Sequence, residues 1–206
     1  MSTYTWPNSK PYWPAQAAWR QLAIQRHNTS PLSGYTQTLG MPGTRWALRL
    51  AMPAQSYAER HALGALIKKL EGRRHWLAMW CPIAPKPAGT CNLAGVTLSA
   101  SASQFAETLT LTGCGAGKTL LADDWLVVAG QRLAVVDDAV ADGSGLMTVV
   151  TRHQLRAAAT AGTAVGLDAP TTTMALHYQG DDPPEVPFDG RGLAPAFTIE
   201  LVEVWA

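Results

Sequence analysis

The amino-acid sequence predicts a mainly β fold that carries one packed α-helix and a β-rich insert. Its apolar runs are short, and several alternate apolar and polar residues, as half-buried strands do. Within 88–168 such runs follow one another closely, separated by glycine-containing turns or short polar stretches. That spacing is typical of a small barrel or sandwich. A helical period is well marked in one stretch, 56–71.

The N-terminal part predicts strands around a turn-rich stretch. Trp19–His27 is compatible with a strand, and Thr29–Gly43 is crowded with turn-forming residues. The next run, "TRWALRLAM", alternates between two faces. One face carries apolar side chains and the other carries arginines: Trp46, Leu48, Leu50 and Met52 against Arg45 and Arg49. This alternation predicts a half-buried strand.

The stretch 56–71 has the start, the face and the end of a helix. Ser56 and Glu59 have capping-box spacing, in which a hydroxyl and a carboxylate satisfy N–H groups at the helix start. Four apolar residues then fall at helical spacing and form one stripe: Leu63, Leu66, Ile67 and Leu70. Gly72 supplies a natural stop. Because the helix has a single apolar stripe, we expect it to lie on a sheet.

The remaining runs define the domain organisation. His75–Pro82 predicts a buried strand, and the proline-rich stretch Ile83–Thr90 marks a domain boundary. Six strand-like runs follow: "GVTLSAS", "AETLTLTG", "DWLVVAG", "QRLAVVDD", "LMTVVT" and "TAVGLD". Residues 169–196 are loop-rich around one strand, "TMALHYQ", and the chain closes with the alternating strand "FTIELVEVW". We predict that residues 1–87 and 169–206 form one β-sandwich with the helix packed on it, and that residues 88–168 form an inserted β-barrel.

Composition favours a protein with large contact surfaces. Only 15% of the residues are charged, against roughly 25% in an average soluble domain. There are eight tryptophans, a residue enriched at interfaces, although a tryptophan-rich core explains them equally well. The net charge of +1 argues against nucleic acid or an anionic membrane as partner. With no run of ~20 apolar residues and no signal peptide, we expect a soluble protein made in a reducing cytoplasm.

The stretch "GCGAGKT", Gly113–Thr119, spells the end of a phosphate-binding loop. A complete loop needs four residues between its two glycines, and Thr112 stands where the first glycine is required. The motif must also open a helix, whereas "LLADDWLVVAGQRLAVV" contains β-branched runs and a turn at Gly130-Gln131. We therefore interpret Gly113–Thr119 as a hairpin turn. A nucleotide-binding enzyme that uses Lys118 is the remote alternative.

Other reactive side chains form no recognisable catalytic or metal motif, so we predict neither an enzyme nor a cofactor. Five histidines have no partner at metal-ligand spacing: His27, His61, His75, His153 and His177. The aspartates of the insert are interpreted as polar turns: Asp123, Asp124, Asp137, Asp138 and Asp142. The three cysteines, Cys81, Cys91 and Cys114, match no zinc pattern, and Cys81 is expected to pack in a strand. Arginines beside Trp19 and Trp46 suggest a single-strand binding surface, which the lack of a basic excess disfavours.

Two segments resemble a known family. Residues 29–82 carry a pattern of turn and strand residues: Ser30, Pro31, Ser33, Gly34, Gln37, Pro42, Gly43, Arg45, Trp46, Leu70, Gly72 and Pro82. Residues 122–165 carry a short hairpin, an A-D-x-x-G turn and a Leu-Arg segment. Together they resemble the distal tail proteins of long-tailed phages, including prophages and phage-derived particles. About 40 residues follow the insert, too few for the galectin-like C-terminal domain of some relatives.

The resemblance implies a structural role in a virion. It implies a sandwich domain that forms a ring, commonly a hexamer, which joins the tail tube to the tip hub and receptor-binding proteins. The insert would be a peripheral, OB-like decoration, and the protein would pass through the host cytoplasm during assembly. Gln37, Arg45 and Trp46 are our candidates for ring-interface or turn-locking roles. Arg45 is equally well explained as an ordinary solvent-exposed arginine. The alternative within this class is a tail tube or terminator protein.

Overall fold

The protein is described here by a computed structural model covering residues 1–22, 25–40, 45–82, 86–168, 173–180, 187 and 195–204. The predicted mainly β class is confirmed, because 43% of the structure is strand and 9% is helical, with one α-helix. The described part contains no helix long and apolar enough to cross a membrane.

The elements outside the insert include most of the predicted strands. In chain order they are β1 (Thr3–Thr5), a 3₁₀ turn (Lys10–Tyr12), β2 (Gln16–Leu22), β3 (Gln25–Thr29), β4 (Thr36–Gly40), β5 (Arg45–Met52), α1 (Tyr57–Lys69) and β6 (Trp76–Trp80). After the insert come β15 (Thr173–Tyr178) and β16 (Phe197–Glu203). Six of these strands form one sheet in the order β1-β6-β15-β16-β5-β2. Only β1 and β6 pair in parallel within it, and the last strand lies near its centre.

The predicted helix is confirmed, and it packs on one face of the six-stranded sheet. The backbone N–H of Ser56 donates to Glu59 Oε2 at 3.0 Å, and Gly72 takes a left-handed φ of 65° just beyond the helix. Leu63, Ile67 and Leu70 are buried against the apolar side chains of the sheet. The stripe differs from the prediction at one residue, since Leu66 is only partly buried.

Arg60 occupies the buried side of the helix, where a cation was not expected. It is fully buried, donates from Nη2 to the Pro195 carbonyl at 3.1 Å and lies 3.5 Å from the centre of the Phe197 ring. Its contacts therefore tie the helix to the segment that enters the last strand.

Strands β3 and β4 form a separate hairpin, which we call the arm (residues 25–40). Among the residues that the structure describes they pair only with each other. The arm extends the β2–β5 ladder after a change of register: Leu22 opposes Arg45, whereas Gln25 opposes Gly40. Every side chain from His27 to Leu39 is exposed except that of Ser30. The predicted turn stretch Thr29–Gly43 is thus only partly a turn: residues 30–35 form the turn, Thr36–Gly40 is a strand, and residues 41–43 lie outside the described part of the chain. Its threonines fit a pleated strand, which the count of turn formers concealed.

The insert is built from eight short strands. They are β7 (Thr97–Leu98), β8 (Thr108–Thr112), β9 (Thr119–Leu120), β10 (Trp125–Val128), β11 (Gln131–Ala134), β12 (Ala139–Val140), β13 (Met147–Val150) and β14 (Val165–Gly166). Each of the six predicted runs contains a strand, and β9 and β12 were not predicted. The strands pair as three short sheets, β13-β8-β7, β11-β10-β14 and β12-β9, and this pairing closes no barrel. One apolar core between Cys91 and Leu167 serves all three.

The β10–β11 hairpin contains the turn predicted near Gly130. Val128 opposes Gln131, so Ala129 and Gly130 form a two-residue turn, with φ values of 48° and 79°. Two positive φ values are what the twist of a tight hairpin requires. Arg132 of this hairpin contacts the six-stranded sheet through Trp46 and Glu203.

Candidate functional site

The most densely connected polar group lies where the insert meets the six-stranded sheet. We call this group the seam: Trp46, Arg132, His153, Arg156 and Glu203. Glu203, 1% exposed at the end of β16, accepts hydrogen bonds from the backbone N–H groups of Arg132 at 2.9 Å and Trp46 at 3.3 Å. It also pairs with the Arg156 guanidinium. Burial raises the pKa of Glu203, and the nearby Arg156 opposes that rise. A buried carboxylate thus binds both parts of the protein together.

Trp46 connects the same two parts through its ring. Its indole N–H donates to the Arg132 carbonyl at 3.1 Å, and its ring stacks on His153 with a centroid distance of 4.8 Å and an interplanar angle of 6°. Both ring nitrogens of the buried His153 lack a hydrogen-bond partner. Burial is the main reason that the pKa of His153 falls to about 4. The imidazole is therefore neutral at pH 7 and acts as a flat apolar surface for Trp46.

The Arg132 guanidinium lies among tryptophans. Its central carbon is 4.3 Å from the ring centre of Trp19, 4.9 Å from that of Trp46 and 5.9 Å from that of Trp125. Its Nε and Nη1 atoms have no hydrogen-bond partner, and burial lowers the Arg132 pKa. Attraction between a cation and aromatic faces offsets part of that desolvation. These contacts orient the insert on the sheet.

The three predicted site residues lie in different surroundings. Gln37 is exposed on the arm opposite Asn28, and Arg45 begins β5 opposite Leu22. Trp46 is buried in the seam within this single chain. The structure therefore brings only Trp46 to the polar group, and the ring-interface role of all three residues stays a prediction.

Sequence reasoning missed the other seam residues. Glu203 had a detectable signal, because it continues the inward-facing positions Phe197, Ile199 and Leu201 of the last strand. A carboxylate at an apolar-face position predicts a buried partner. Arg132 and Arg156 had no comparable signal, since nothing in their own runs points to the distant Glu203.

Gly113–Thr119 is a turn, but not the predicted hairpin turn. It connects β8, which pairs with β7 and β13, to β9, which pairs with β12. A strand follows Thr119 where a phosphate-binding loop requires a helix. Lys118 Nζ donates to Asn92 Oδ1 at 2.8 Å. The loop therefore lacks the strand–loop–helix context that such a motif needs.

Asp142 acts in a local turn, as the sequence predicts, whereas Asp124 is buried and also binds the distant start of the insert. Asp124 accepts hydrogen bonds from the N–H groups of Ala88, Gly89 and Leu121 at 2.6, 3.0 and 2.8 Å. Asp142 accepts from Ser144 and Leu146, and the hydrogen bond from the Ser144 hydroxyl is the main reason that its pKa is lowered. Within the described ranges, no group of three His, Cys, Asp or Glu residues is arranged to hold a metal ion.

The face of the six-stranded sheet opposite α1 carries mostly small and polar residues near its β2 edge. A groove of about 200 Å³ lies there, lined by Ala18, Arg20, Ala47, Leu48, Arg49, Gln179 and Glu200. Arg49 Nε lies 3.9 Å from Glu200 Oε1, and both side chains are exposed. This face is open to solvent at the groove.

Comparisons with known proteins do not identify the chain. No protein-family model matches it, and no curated protein matches it.

Proposed function

We propose that the protein is a structural ring subunit of a phage tail tip, acting as a hexamer that joins the tail tube to the tip hub and receptor-binding proteins. In this role it is not an enzyme and needs no cofactor. It is made in the host cytoplasm and resides in the virion. The resemblance of residues 29–82 and 122–165 to distal tail proteins supports this role.

The arm is the observation that carries the proposal. A two-stranded hairpin is only marginally stable in water by itself. The arm nevertheless projects beyond the sheet with exposed apolar side chains, Leu32 at 98%, Tyr35 at 73% and Leu39 at 59%. Contacts with a neighbouring subunit would cover these side chains and stabilise the hairpin. Gln37 lies on the same arm, which is consistent with a ring-interface role.

The open sheet face provides a matching surface. A ring needs two different patches on each subunit, one that projects and one that receives, so that successive copies close. The groove beside Arg20, Arg49 and Glu200 lies near the β2 edge, far enough from the arm's tip for the two patches to be distinct. Its three charged side chains offer polar contacts to a neighbouring subunit, and its alanines leave room for apolar side chains of the arm.

The finer architecture belongs to the same proposal: a β-sandwich for residues 1–87 and 169–206, and an OB-like barrel for residues 88–168. Two isolated bridges support the barrel. Thr97 bridges Ala164, and Val135 bridges Thr151, so that the edges of the two three-stranded sheets meet on both sides. The single core inside the insert has the arrangement that a small barrel requires.

Native mass spectrometry of the full chain tests the ring. We expect a closed oligomer, most tellingly a hexamer, for the wild-type protein. Leu32→Asp combined with Tyr35→Asp places two charges on the arm without touching a buried residue, and we expect that variant to be monomeric with an unchanged circular dichroism spectrum. Val140→Asp is the matched control, since Val140 is 63% exposed on the insert, and it should still assemble.

Imaging of whole particles with a labelled subunit separates the two tail roles. A single ring at the tip supports the distal tail protein, whereas label along the tail or at its head-proximal end supports a tube or terminator protein. A wild-type chain that is monomeric at every concentration and absent from particles contradicts both.

A further inference from the structure

Two of the three cysteines lie side by side in the core of the insert. Cys91 is 5% exposed and Cys114 is fully buried, and both are free thiols. A backbone hydrogen bond connects the two segments: the N–H of Asn92, the residue after Cys91, donates to the Cys114 carbonyl at 3.0 Å. Both side chains belong to the same apolar core cluster of the insert. Cys81 packs in a different cluster, with Trp80 and Trp125.

The Gly113–Thr119 loop places a cation beside this pair. Lys118 Nζ is held by Asn92 Oδ1, the residue next to Cys91. Gly115 makes this possible, because a Cβ there would lie 3.0 Å from Lys118 Cδ and 3.1 Å from Asn92 Nδ2. Any other residue at position 115 would displace the lysine or the asparagine.

The two thiols differ in reactivity as a result. The hydrogen bond from Cys114 is the main factor that lowers the pKa of Cys91, and the charge of Lys118 lowers it further against the effect of burial. The pKa of Cys114 is raised, first because its thiol gives that hydrogen bond and then because it is buried. Cys91 is thus the better nucleophile, since the thiolate is the reactive form of cysteine.

We propose that Cys91 and Cys114 form a redox-active dithiol that hydrogen peroxide converts into an intramolecular disulfide, with Cys91 attacking and Cys114 resolving. Peroxide suits the site because it is small and neutral, whereas a bulky oxidant does not reach a sulfur that is 5% exposed. The proposal concerns the insert alone and does not rest on the ring.

The chemistry balances in two steps. The Cys91 thiolate attacks one peroxide oxygen, the O–O bond breaks, and Cys91 becomes a sulfenic acid while the other oxygen leaves as hydroxide and is protonated to water. The Cys114 sulfur then attacks the Cys91 sulfur. The S–O bond breaks, and the hydroxyl group leaves as a second water with the proton of the Cys114 thiol. Peroxide gains two electrons, and the two thiols lose them.

Mass spectrometry of the full chain treated with dilute peroxide tests the pair. We expect a mass loss of about 2 Da that a thiol reductant reverses. The thiols that can be alkylated after denaturation should fall from three to one, and peptide mapping should place the bond between residues 91 and 114. The oxidised protein should also unfold at a temperature roughly 10 °C higher, since the bond closes a loop of the unfolded chain.

Single-residue variants distinguish the roles of the three cysteines and of Lys118. Cys114→Ser should leave a sulfenic acid on Cys91 that dimedone traps once the peroxide-treated protein is denatured. Cys91→Ser should leave Cys114 unoxidised, and Cys81→Ser should form the disulfide as the wild type does. Lys118→Met should slow the formation of the disulfide in dilute peroxide roughly several-fold at pH 7, with the difference vanishing at high pH where the Cys91 thiol is ionised in any case. Three intact thiols in folded, peroxide-treated wild-type protein, or a bond that includes Cys81, would overturn the proposal even if the variants fail to fold.

Discussion

The carboxylate of Glu203 at the end of the last strand is buried against the guanidinium of Arg156 in the insert. The Glu203 side chain is 1% exposed and that of Arg156 is 9% exposed, and Arg156 Nη1 also donates to the Val204 carbonyl at 2.9 Å. This pair fixes the insert on the six-stranded sheet at one point of the seam. The attraction between the two charges is offset by the cost of removing both from water. The pair therefore affects stability most when only one of the two side chains is replaced.

We therefore predict that Glu203→Ala lowers the free energy of unfolding by about 3 kcal/mol, because it breaks a buried ion pair and leaves the Trp46 and Arg132 N–H groups without their acceptor. Replacing both partners, Glu203→Met with Arg156→Met, should restore much of that loss. Urea unfolding followed by circular dichroism measures both. Glu200→Ala is the control: its carboxylate faces Arg49 on the surface, with side chains 48% and 68% exposed, and its removal should cost less than about 0.5 kcal/mol. Equal losses for the two glutamates would contradict this account.

The buried His153 predicts a loss of stability in acid. Its pKa is lowered to about 4, mainly by burial, while in the unfolded chain it returns to about 6.5. The unfolded chain therefore binds the proton first, and the His153 contribution is lost as the pH falls from about 6.5 towards 4. Between pH 7 and pH 5 the loss is roughly 2 kcal/mol.

His153→Phe isolates this effect, because a phenyl ring keeps the stack on Trp46 and does not titrate. The measured quantity is the difference between wild type and variant in the free energy of unfolding at pH 7 and at pH 5. The raised pKa of Glu203 acts in the opposite direction, since its contribution to stability grows as the pH falls through its folded-state pKa. That term is common to both proteins and cancels in the difference. A variant with the same pH dependence as the wild type would be evidence against a neutral, buried His153.

Gly89 and Gly143 should respond oppositely to alanine. A Cβ at Gly89 would lie 2.3 Å from the Thr119 carbonyl oxygen and 2.8 Å from Leu120 Cα, so the backbone at the start of β9 has to move. We expect Gly89→Ala to lower the thermal midpoint and to cost at least about 2 kcal/mol. A Cβ added at Gly143 would meet no atom within 4 Å, and no positive φ opposes the substitution. Gly143→Ala should change stability by less than about 0.5 kcal/mol, and an equal effect at both sites would refute the steric argument.

Leu63 and Leu66 belong to the same predicted stripe but differ in burial. Leu63 is fully buried on the sheet, so Leu63→Ala should lower the free energy of unfolding by about 3 kcal/mol through lost burial and the cavity it leaves. Leu66 is only partly buried, and Leu66→Ala should cost about 1 kcal/mol. Denaturant unfolding of the two single variants compares them directly. Equal costs would mean that the helix is rotated relative to the arrangement described here.

Local pattern was sufficient for the mainly β class, the helix and most strands. Alternation along β5 and the capping box before α1 depend on residues within one or two turns of each other, so sequence alone carries the information. The arm shows the limit of prediction from local sequence pattern. Its composition is compatible with a turn or a strand. Thr36–Gly40 is a strand because its backbone pairs with β3.

The sequence by itself determined the periodic elements, the missing glycine that argues against a phosphate-binding loop, and the turn role of Asp142. Only the tertiary structure shows that the seam residues contact one another and that Cys91 lies beside Cys114. Trp46 and Glu203 are 157 positions apart, and their contact depends on which strands become neighbours in the sheet. Burial likewise depends on what packs above a side chain, and burial lowers the pKa of His153 and raises that of Glu203. The alternation of the last strand signals the burial of Glu203, but no local pattern encodes its partners or these pKa shifts, because both depend on residues brought together only when the chain folds.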